Sequence, residues 1–313
     1  MLSSLYYSAL RGAGLTALAR RLRGGALILC YHDVVPAAAP PGPTPPAGDP
    51  GLHLTADRFE RQVRWLLQHY TIVPLLELAT RIGAGVAVRG LAALTFDDGY
   101  TGTFTHAWPL LRRLGVPATV FVVAQAPGES AGFWWDHPVA AAATPPRRER
   151  WLTELRGDGA LITASLAAGA APSQPPTHRP ATWSVIARAA TDGLDIGVHS
   201  ASHRTLTTLG DAELETEVQA AGKTIASRAG VEPVVFSYPY GIWDARARRA
   251  VRAAGYRAAV TLDYGLNAPA ADLWSLRRIN VPAAISQPAF AGWTAGIRPR
   301  RRQTAQALGD PGR

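Results

Sequence analysis

Seven short runs of apolar, β-branched and aromatic residues, separated by helical patterns, constrain this chain more than any other feature. The runs are ALILCY (26–31), AALTF (92–96), ATVFVV (118–123), LDIGV (194–198), VVFSY (234–238), YRAAVT (256–261) and LRRINV (276–281). Each has the length and composition of a buried strand. Between them, residues 57–70 put Phe59, Val63, Leu66, Leu67 and Tyr70 on one stripe, and residues 211–229 do the same with Leu214, Val218, Ala221 and Ile225. Asp211 and Glu213 suit the first turn of that second helix and Gly230 suits its stop. Residues 182–191 and 243–254 are further helical segments. Buried strands alternating with helices predict an α/β fold, a parallel sheet covered by helices. The 313 residues suit either two average domains or one barrel. No internal repeat is visible.

Four of the seven runs end in polar or special-backbone residues: YHD at 31–33, DDGY at 97–100, HSASH at 199–203 and PYG at 239–241. In a parallel barrel the C-terminal strand ends converge on one face, where active sites are built. One Asp-Asp-Gly triplet is usually a solvated turn, and two histidines four apart are often surface residues. Four coincident endings point to a site. If the chain turns helically after its strand, His199 and His203 share a direction, a spacing used for zinc in other hydrolases. Two histidines and one carboxylate leave an open coordination position, as catalytic zinc requires. Asp97 and Asp98 then have two jobs between them, one binding metal and the other accepting a proton.

The formal charge of +9 suggests nucleic acid until its distribution is considered. Residues 1–25 hold Arg11, Arg20, Arg21 and Arg23 with no acid, and residues 296–313 hold five arginines against Asp310. The body between is close to neutral, so nucleic-acid binding is not expected. Cys30 is the only cysteine; it allows no internal disulfide and reads as a small buried strand residue. No run is long enough for a membrane span. The N-terminal apolar run leads into ARRLRGG, which does not fit a cleavable signal. This leaves the compartment open between the cytoplasm and the inner membrane surface. Leu2, Leu5, Tyr6, Leu10, Leu15, Leu18 and Leu22 share a broad face. They form either a helix packed on the body or one lying on a membrane surface.

TFDDGY (95–100), HSASH (199–203) and YPYG (238–241), in that order, resemble the motifs of the polysaccharide deacetylases, carbohydrate esterase family four. The resemblance spans about residues 26–285 and implies a distorted (β/α)7 barrel with parallel strands and outer helices. It implies removal of acetyl groups from an N-acetylated saccharide, with an O-acetyl glycan esterase or a non-catalytic carbohydrate-binding relative as alternatives. Carried over by position, Asp97 matches the catalytic base, while Asp98, His199 and His203 match the ligands of Zn2+ or a similar divalent ion. That ion polarises the acetyl carbonyl and activates water. The backbone N–H of Tyr240 helps stabilise the oxyanion. Ser200 supports the metal ligands from behind, and Pro239 belongs to the same supporting or substrate-contacting group.

Two departures from the family pattern stand out. Most members protonate the leaving amine with a histidine near the C-terminal end of the domain, but no histidine follows His203 here. A circularly permuted branch acting on poly-N-acetylglucosamine carries its acid in an early YHD-type motif, so His32 matches that role. Asp33 either orients its neighbours or is a turn residue. The arginine that commonly precedes the PY motif is also missing. Arg278 on the last strand is the substitute, unless Arg277, with the opposite side-chain direction, is the one facing inward.

The expected organisation is an amphipathic segment (1–25), a barrel domain (26–295) and a disordered basic tail (296–313). Residues 36–51, with seven prolines, form an extended loop at the site rim. Segment 124–180 is a long connection in which Trp134 or Trp135 stacks on sugar rings or packs into the core. The expected partners are an acetylated carbohydrate and, through residues 1–25, a membrane surface.

Overall fold

The computed structural model describes residues 2–36, 49–129, 132–166 and 175–297. All seven sequence runs are strands or bridges of one sheet: β1 (Leu27–Tyr31), β2 (Leu91–Phe96), β3 (Thr119–Val122), β4 (Asp195–Val198), β5 (Val235–Ser237), β6 (Ala258–Val260) and β7 (Ile279–Asn280). Every pairing is parallel, in the order β7-β1-β2-β3-β4-β5-β6. The ring closes through a parallel bridge between Val260 and Leu276, and β7 then passes to β1 in the register Leu29 with Ile279. The last strand thus divides its pairing between two neighbours, which distorts the barrel. A short strand, Thr71–Ile72, adds to β2.

The two-residue strand period sorts the side chains. Ile28, Ala93, Phe121, Val235, Val260 and Leu276 share one apolar cluster with Leu75, Leu78 and Ile82 of the helix Leu75–Gly83. Two residues further along, the same inward positions become Cys30, Thr95, Ser237 and Arg278, all buried. The barrel is therefore apolar at its base and polar toward its C-terminal mouth. Alternate residues such as Leu27, Leu29 and Leu94 join a second cluster with the outer helices. Those helices include Ala56–Leu67, Trp108–Leu114, Trp183–Thr191, Ala245–Ala253 and Gln287–Thr294.

Three expectations change. The 211–229 segment is helical from Asp211 to Ala229 but passes through a π-helical turn, Thr216–Ala220. Among its described residues, segment 124–180 contains three short α-helices, Pro138–Ala141, Pro145–Thr153 and Gly159–Ser165, so it is a helical insertion and not a plain loop. The strand after His32 continues as Asp33–Val35, paired in parallel with His53–Thr55, so Asp33 is not a turn residue. The proline-rich stretch at 37–48 and the basic tail from 298 lie outside the described residues.

Residues 2–22 form two helices, Leu2–Gly12 and Leu15–Leu22. Tyr7 is buried against Gly292 and accepts a hydrogen bond from Trp293 Nε1 at 3.1 Å. The Arg20 guanidinium lies 5.4 Å from the Trp65 ring. Leu5, Leu15, Leu18 and Leu22 remain exposed. No helix among the described residues is long and apolar enough to cross a membrane.

Candidate active site

The four polar strand ends meet at the barrel mouth. Asp98 Oδ1 lies 3.5 Å from His199 Nε2 and 3.4 Å from His203 Nε2, and the two Nε2 atoms are 3.1 Å apart. All three residues are buried. His199 Nδ1 donates to the Ser237 carbonyl at 2.8 Å, which leaves the Nε2 lone pair facing the cluster. Burial lowers the pKa of both histidines, His203 well below the ordinary value, so both imidazoles are neutral at neutral pH. Burial, reinforced by the Asp97 charge, pushes the Asp98 carboxyl well above its usual range.

This donor set fits a divalent cation. With bonds of about 2.0–2.1 Å in a tetrahedral arrangement, two ligand nitrogens stand about 3.3 Å apart, close to the spacing of the imidazoles. A cation would also compensate the buried Asp98 charge. Two imidazoles and a carboxylate suit zinc and its neighbours.

The turn that brings His199 to His203 is not helical, contrary to expectation. Ser200 and His203 both have φ of 62°, left-handed values that are uncommon outside glycine. The turn is held from inside, since His203 N–H donates to Ser200 Oγ at 2.9 Å. Glu217, in the π-helical turn, accepts from the N–H groups of Ala201 and Ser202 at 3.0 and 2.9 Å, and from Ser202 Oγ. Asp98 and Tyr240 also have positive φ, 72° and 58°. Four left-handed non-glycine residues at one mouth are backbone strain gathered at a site.

Asp97 faces the interior and carries a different set of contacts. Arg278, fully buried, donates to both of its oxygens at 2.7 and 2.6 Å. The same guanidinium donates to Thr95 Oγ1, Ser237 Oγ and the Thr261 carbonyl at 3.1, 2.9 and 2.8 Å. Arg277 is exposed. Burial favours the neutral Asp97 acid, but Arg278 and His199 outweigh it and hold the carboxyl well below the usual range. Asp97 Oδ2 lies 3.8 Å from His199 Nε2.

His32 and Cys30 approach Asp97 from β1, with ligand-type atoms of the three residues within 4.8 Å of one another. Cys30 is therefore a buried strand residue as expected, and also a neighbour of Asp97, with Sγ 3.4 Å from Oδ2. His32 is half-buried. Burial lowers its pKa to about 4 against the pull of Asp97. Its carbonyl is fixed by Thr103 Oγ1 at 2.6 Å. Asp33 points away from the mouth, to His53 at 2.9 Å.

Aromatic rings wall the other side. The Trp135 ring stands 4.5 Å from that of His203, and Tyr240 stands 4.4 Å from it. Trp135 is buried, stacked on Phe133 at 4.5 Å. Trp134 is half-buried, 6.5 Å from Tyr240. Pro239 is buried at the start of the Tyr240 turn. That turn requires Gly241, where φ is 70° and a Cβ would meet Leu262 at 2.4 Å.

Sequence reading missed Thr95, Ser237, Thr261 and Glu217. Glu217 alone left a signal, as a carboxylate beside Val218 on the apolar stripe of its helix.

The fold and mouth define a distorted (β/α)7 barrel with its acids and imidazoles gathered at the C-terminal strand ends. A sequence model of one family, described as polysaccharide deacetylase, matches residues 86–259. The chain belongs to that family, whose members are hydrolases that deacetylate carbohydrate. His32 and Arg278 both lie outside the matched range. The putative polysaccharide deacetylase YxkH of Bacillus subtilis (strain 168) is 20% identical over 273 residues, 87% of this chain and 76% of that protein. Among solved structures, IcaB from Ammonifex degensii aligns with a TM-score of 0.61 and 18% identity, covering 91% of this chain and 98% of that one. The Streptococcus pyogenes deacetylase PplD, in complex with acetate, aligns with a TM-score of 0.60 and 17% identity, covering 88% and 99%.

Proposed function

We propose that this protein is a metal-dependent hydrolase that removes acetyl groups from an N-acetylated saccharide, a polysaccharide, oligosaccharide or lipid-linked glycan. The observation that carries this reading is the position of Asp97. It is clamped by Arg278, 3.8 Å from His199 of the Asp98–His199–His203 set, and has His32 on its other side.

Asp98, His199 and His203 would hold the divalent ion, which when bound would supply Lewis-acid polarisation of the acetyl carbonyl and a more acidic water. Asp97 is the base. Arg278 fixes both of its oxygens, so the carboxylate stays ionised and aimed as it takes the water's proton. The Tyr240 N–H stabilises the oxyanion. His32 donates a proton to the leaving nitrogen. As it is neutral in the free site at pH 7, it must gain that proton during the reaction, and Asp97 beside it is the source. Ser200 and Glu217 hold the turn bearing the two histidines, and Trp134, half-buried, is the ring on which a sugar stacks.

A proton donor beside the base favours amide over ester hydrolysis, because an amine leaves only when protonated. The test is acetate release from matched N-acetyl and O-acetyl oligosaccharides with Zn2+ supplied. Faster release from the O-acetyl substrate would assign the esterase reading, and release from neither would assign the non-catalytic one.

Residues 1–25 serve as a peripheral contact with anionic membranes. Leu15, Leu18 and Leu22 form an exposed i, i+3, i+7 stripe, Leu5 is also exposed, and the segment carries four arginines and no acid. Outward leucines rimmed by arginine suit the headgroup boundary of an anionic bilayer.

A further inference from the structure

Beside the mouth, on the β1 side, a second buried polar cluster takes no part in the chemistry described above. His53 Nδ1 lies 2.9 Å from Asp33 Oδ2, and Nε2 of the same ring lies 2.9 Å from Asp136 Oδ1. Both carboxylates are fully buried. Tyr100 Oη donates to Asp136 Oδ2 at 2.7 Å and accepts from Trp135 Nε1 at 2.7 Å. The Asp49 N–H donates to Asp136 Oδ1 at 3.0 Å. The His178 ring stacks on His53 at 3.7 Å, with 10° between the planes.

Asp33, His53 and His178 lie close enough together to suggest a metal site, but the stacking argues against one. Imidazole lone pairs lie in the ring plane, and two stacked, near-parallel rings with centroids 3.7 Å apart cannot both direct a lone pair at one ion. Each His53 nitrogen already faces a carboxylate oxygen at hydrogen-bond distance. A ring placed between two carboxylates carries both its protons and hence a positive charge. It compensates two buried anions that would otherwise be costly.

The segments joined are those that shape the mouth. Asp33 directly follows His32. Tyr100 is two residues after Asp98. Asp136 follows Trp135, whose ring packs on His203. Residue 102 accommodates the arrangement only as glycine, because a Cβ there would meet Asp33 Oδ1 at 2.2 Å.

We propose that His53 is a positioning residue whose bridge between Asp33 and Asp136 holds the Trp134–Trp135 wall and the His32 strand end in register, and so governs how the saccharide is seated. This rests on the reading of Asp97, Asp98, His199 and His203 as the reaction centre. The ring makes no contact with the reacting atoms. Its effect therefore grows with the size of the substrate: an oligosaccharide spans the wall, whereas a small activated acetate ester occupies only the centre.

The test compares steady-state kinetics of wild type and His53→Gln on an N-acetylated oligosaccharide and on a small activated acetate ester, with bound zinc measured in each. Gln keeps one hydrogen bond and removes the charge. We expect kcat/KM for the oligosaccharide to fall by about tenfold or more, mainly through KM, with a much smaller change for the ester and zinc content retained. Should the single variant fail to fold, His53→Gln/Asp136→Asn keeps the net charge of the cluster and should show the same substrate-dependent loss. Equal losses on both substrates, or none on either, would overturn the role of His53. Wild type releasing no acetate from the oligosaccharide would instead overturn the function on which the role rests.

Discussion

Arg278 and Asp97 are 181 residues apart in sequence and meet through two hydrogen bonds of 2.7 and 2.6 Å inside the barrel. Arg278 comes from the last strand and Asp97 from the end of β2, with β1 between them in the sheet. The pair exists only because the barrel closes.

Arg278→Lys should therefore not act as a conservative change. A lysine cannot donate to both Asp97 oxygens while also reaching Ser237 and Thr261. We expect turnover to fall by about 10²-fold or more with bound zinc retained. Arg278→Ala, which leaves Asp97 buried and unpaired, should cost about 3–5 kcal/mol of stability. Denaturant titration alongside activity separates the two effects.

The two carboxylates should fail differently. His203→Ala should lose bound zinc and nearly all activity, as should Asp98→Ala, read by elemental analysis. Asp97→Asn should keep the metal and lose about 10²–10⁴ in turnover. Full zinc occupancy in His203→Ala would remove the ligand assignment, and wild-type turnover in Asp97→Asn would remove the base.

His32→Ala should cripple hydrolysis of an acetamide while sparing an ester with a good leaving group, because only the amine needs a proton to depart. The comparison of an N-acetyl sugar with an aryl acetate, using one preparation of the variant, reads this directly. Loss of both activities to the same degree would return YHD to being a strand end.

Stability should depend on pH through His53. Its pKa is raised from 6.5 to about 9: burial lowers it, but the hydrogen bonds and charges of Asp136 and Asp33 outweigh burial. Asp33, Asp136, Tyr100 and His178 are the titratable groups facing the ring. The folded state holds this proton more tightly than the unfolded chain. Its contribution is therefore fully present below pH 6.5 and is lost as the pH rises through about 9. The amount is up to about 3 kcal/mol. Burial raises the Asp33 carboxyl to about 6, so its own titration overlaps only the start of this window and is over well before the pH reaches 9. Unfolding free energies at pH 6.5 and 9.5 should differ in wild type, and the difference should shrink in His53→Gln.

Leu18→Glu and Leu22→Glu alter exposed side chains and should leave the barrel intact. The paired variant should no longer sediment with anionic phosphatidylserine vesicles, while its activity on a soluble oligosaccharide changes little. Sedimentation equal to wild type would dismiss the membrane contact.

Much of this protein is written locally. The seven strand runs and their polar ends were legible because strand periodicity and turn chemistry depend on near neighbours. The i, i+4 spacing of His199 and His203 marked the candidate metal set, although the turn proved to be left-handed at Ser200 and His203, braced by a glutamate from another element. Other features depended on closure. Arg277 and Arg278 have equivalent sequence surroundings, and only the register of the last strand against β1 and β6 turned Arg278 inward. His53, Asp33 and Asp136 carried no shared pattern, because their pairing depends on where two connections return to the mouth. Local sequence determines which segments become strands and where polarity begins. Which charges finally neutralise one another is decided by the three-dimensional return of the chain, since a buried carboxylate takes the cation that the fold places beside it.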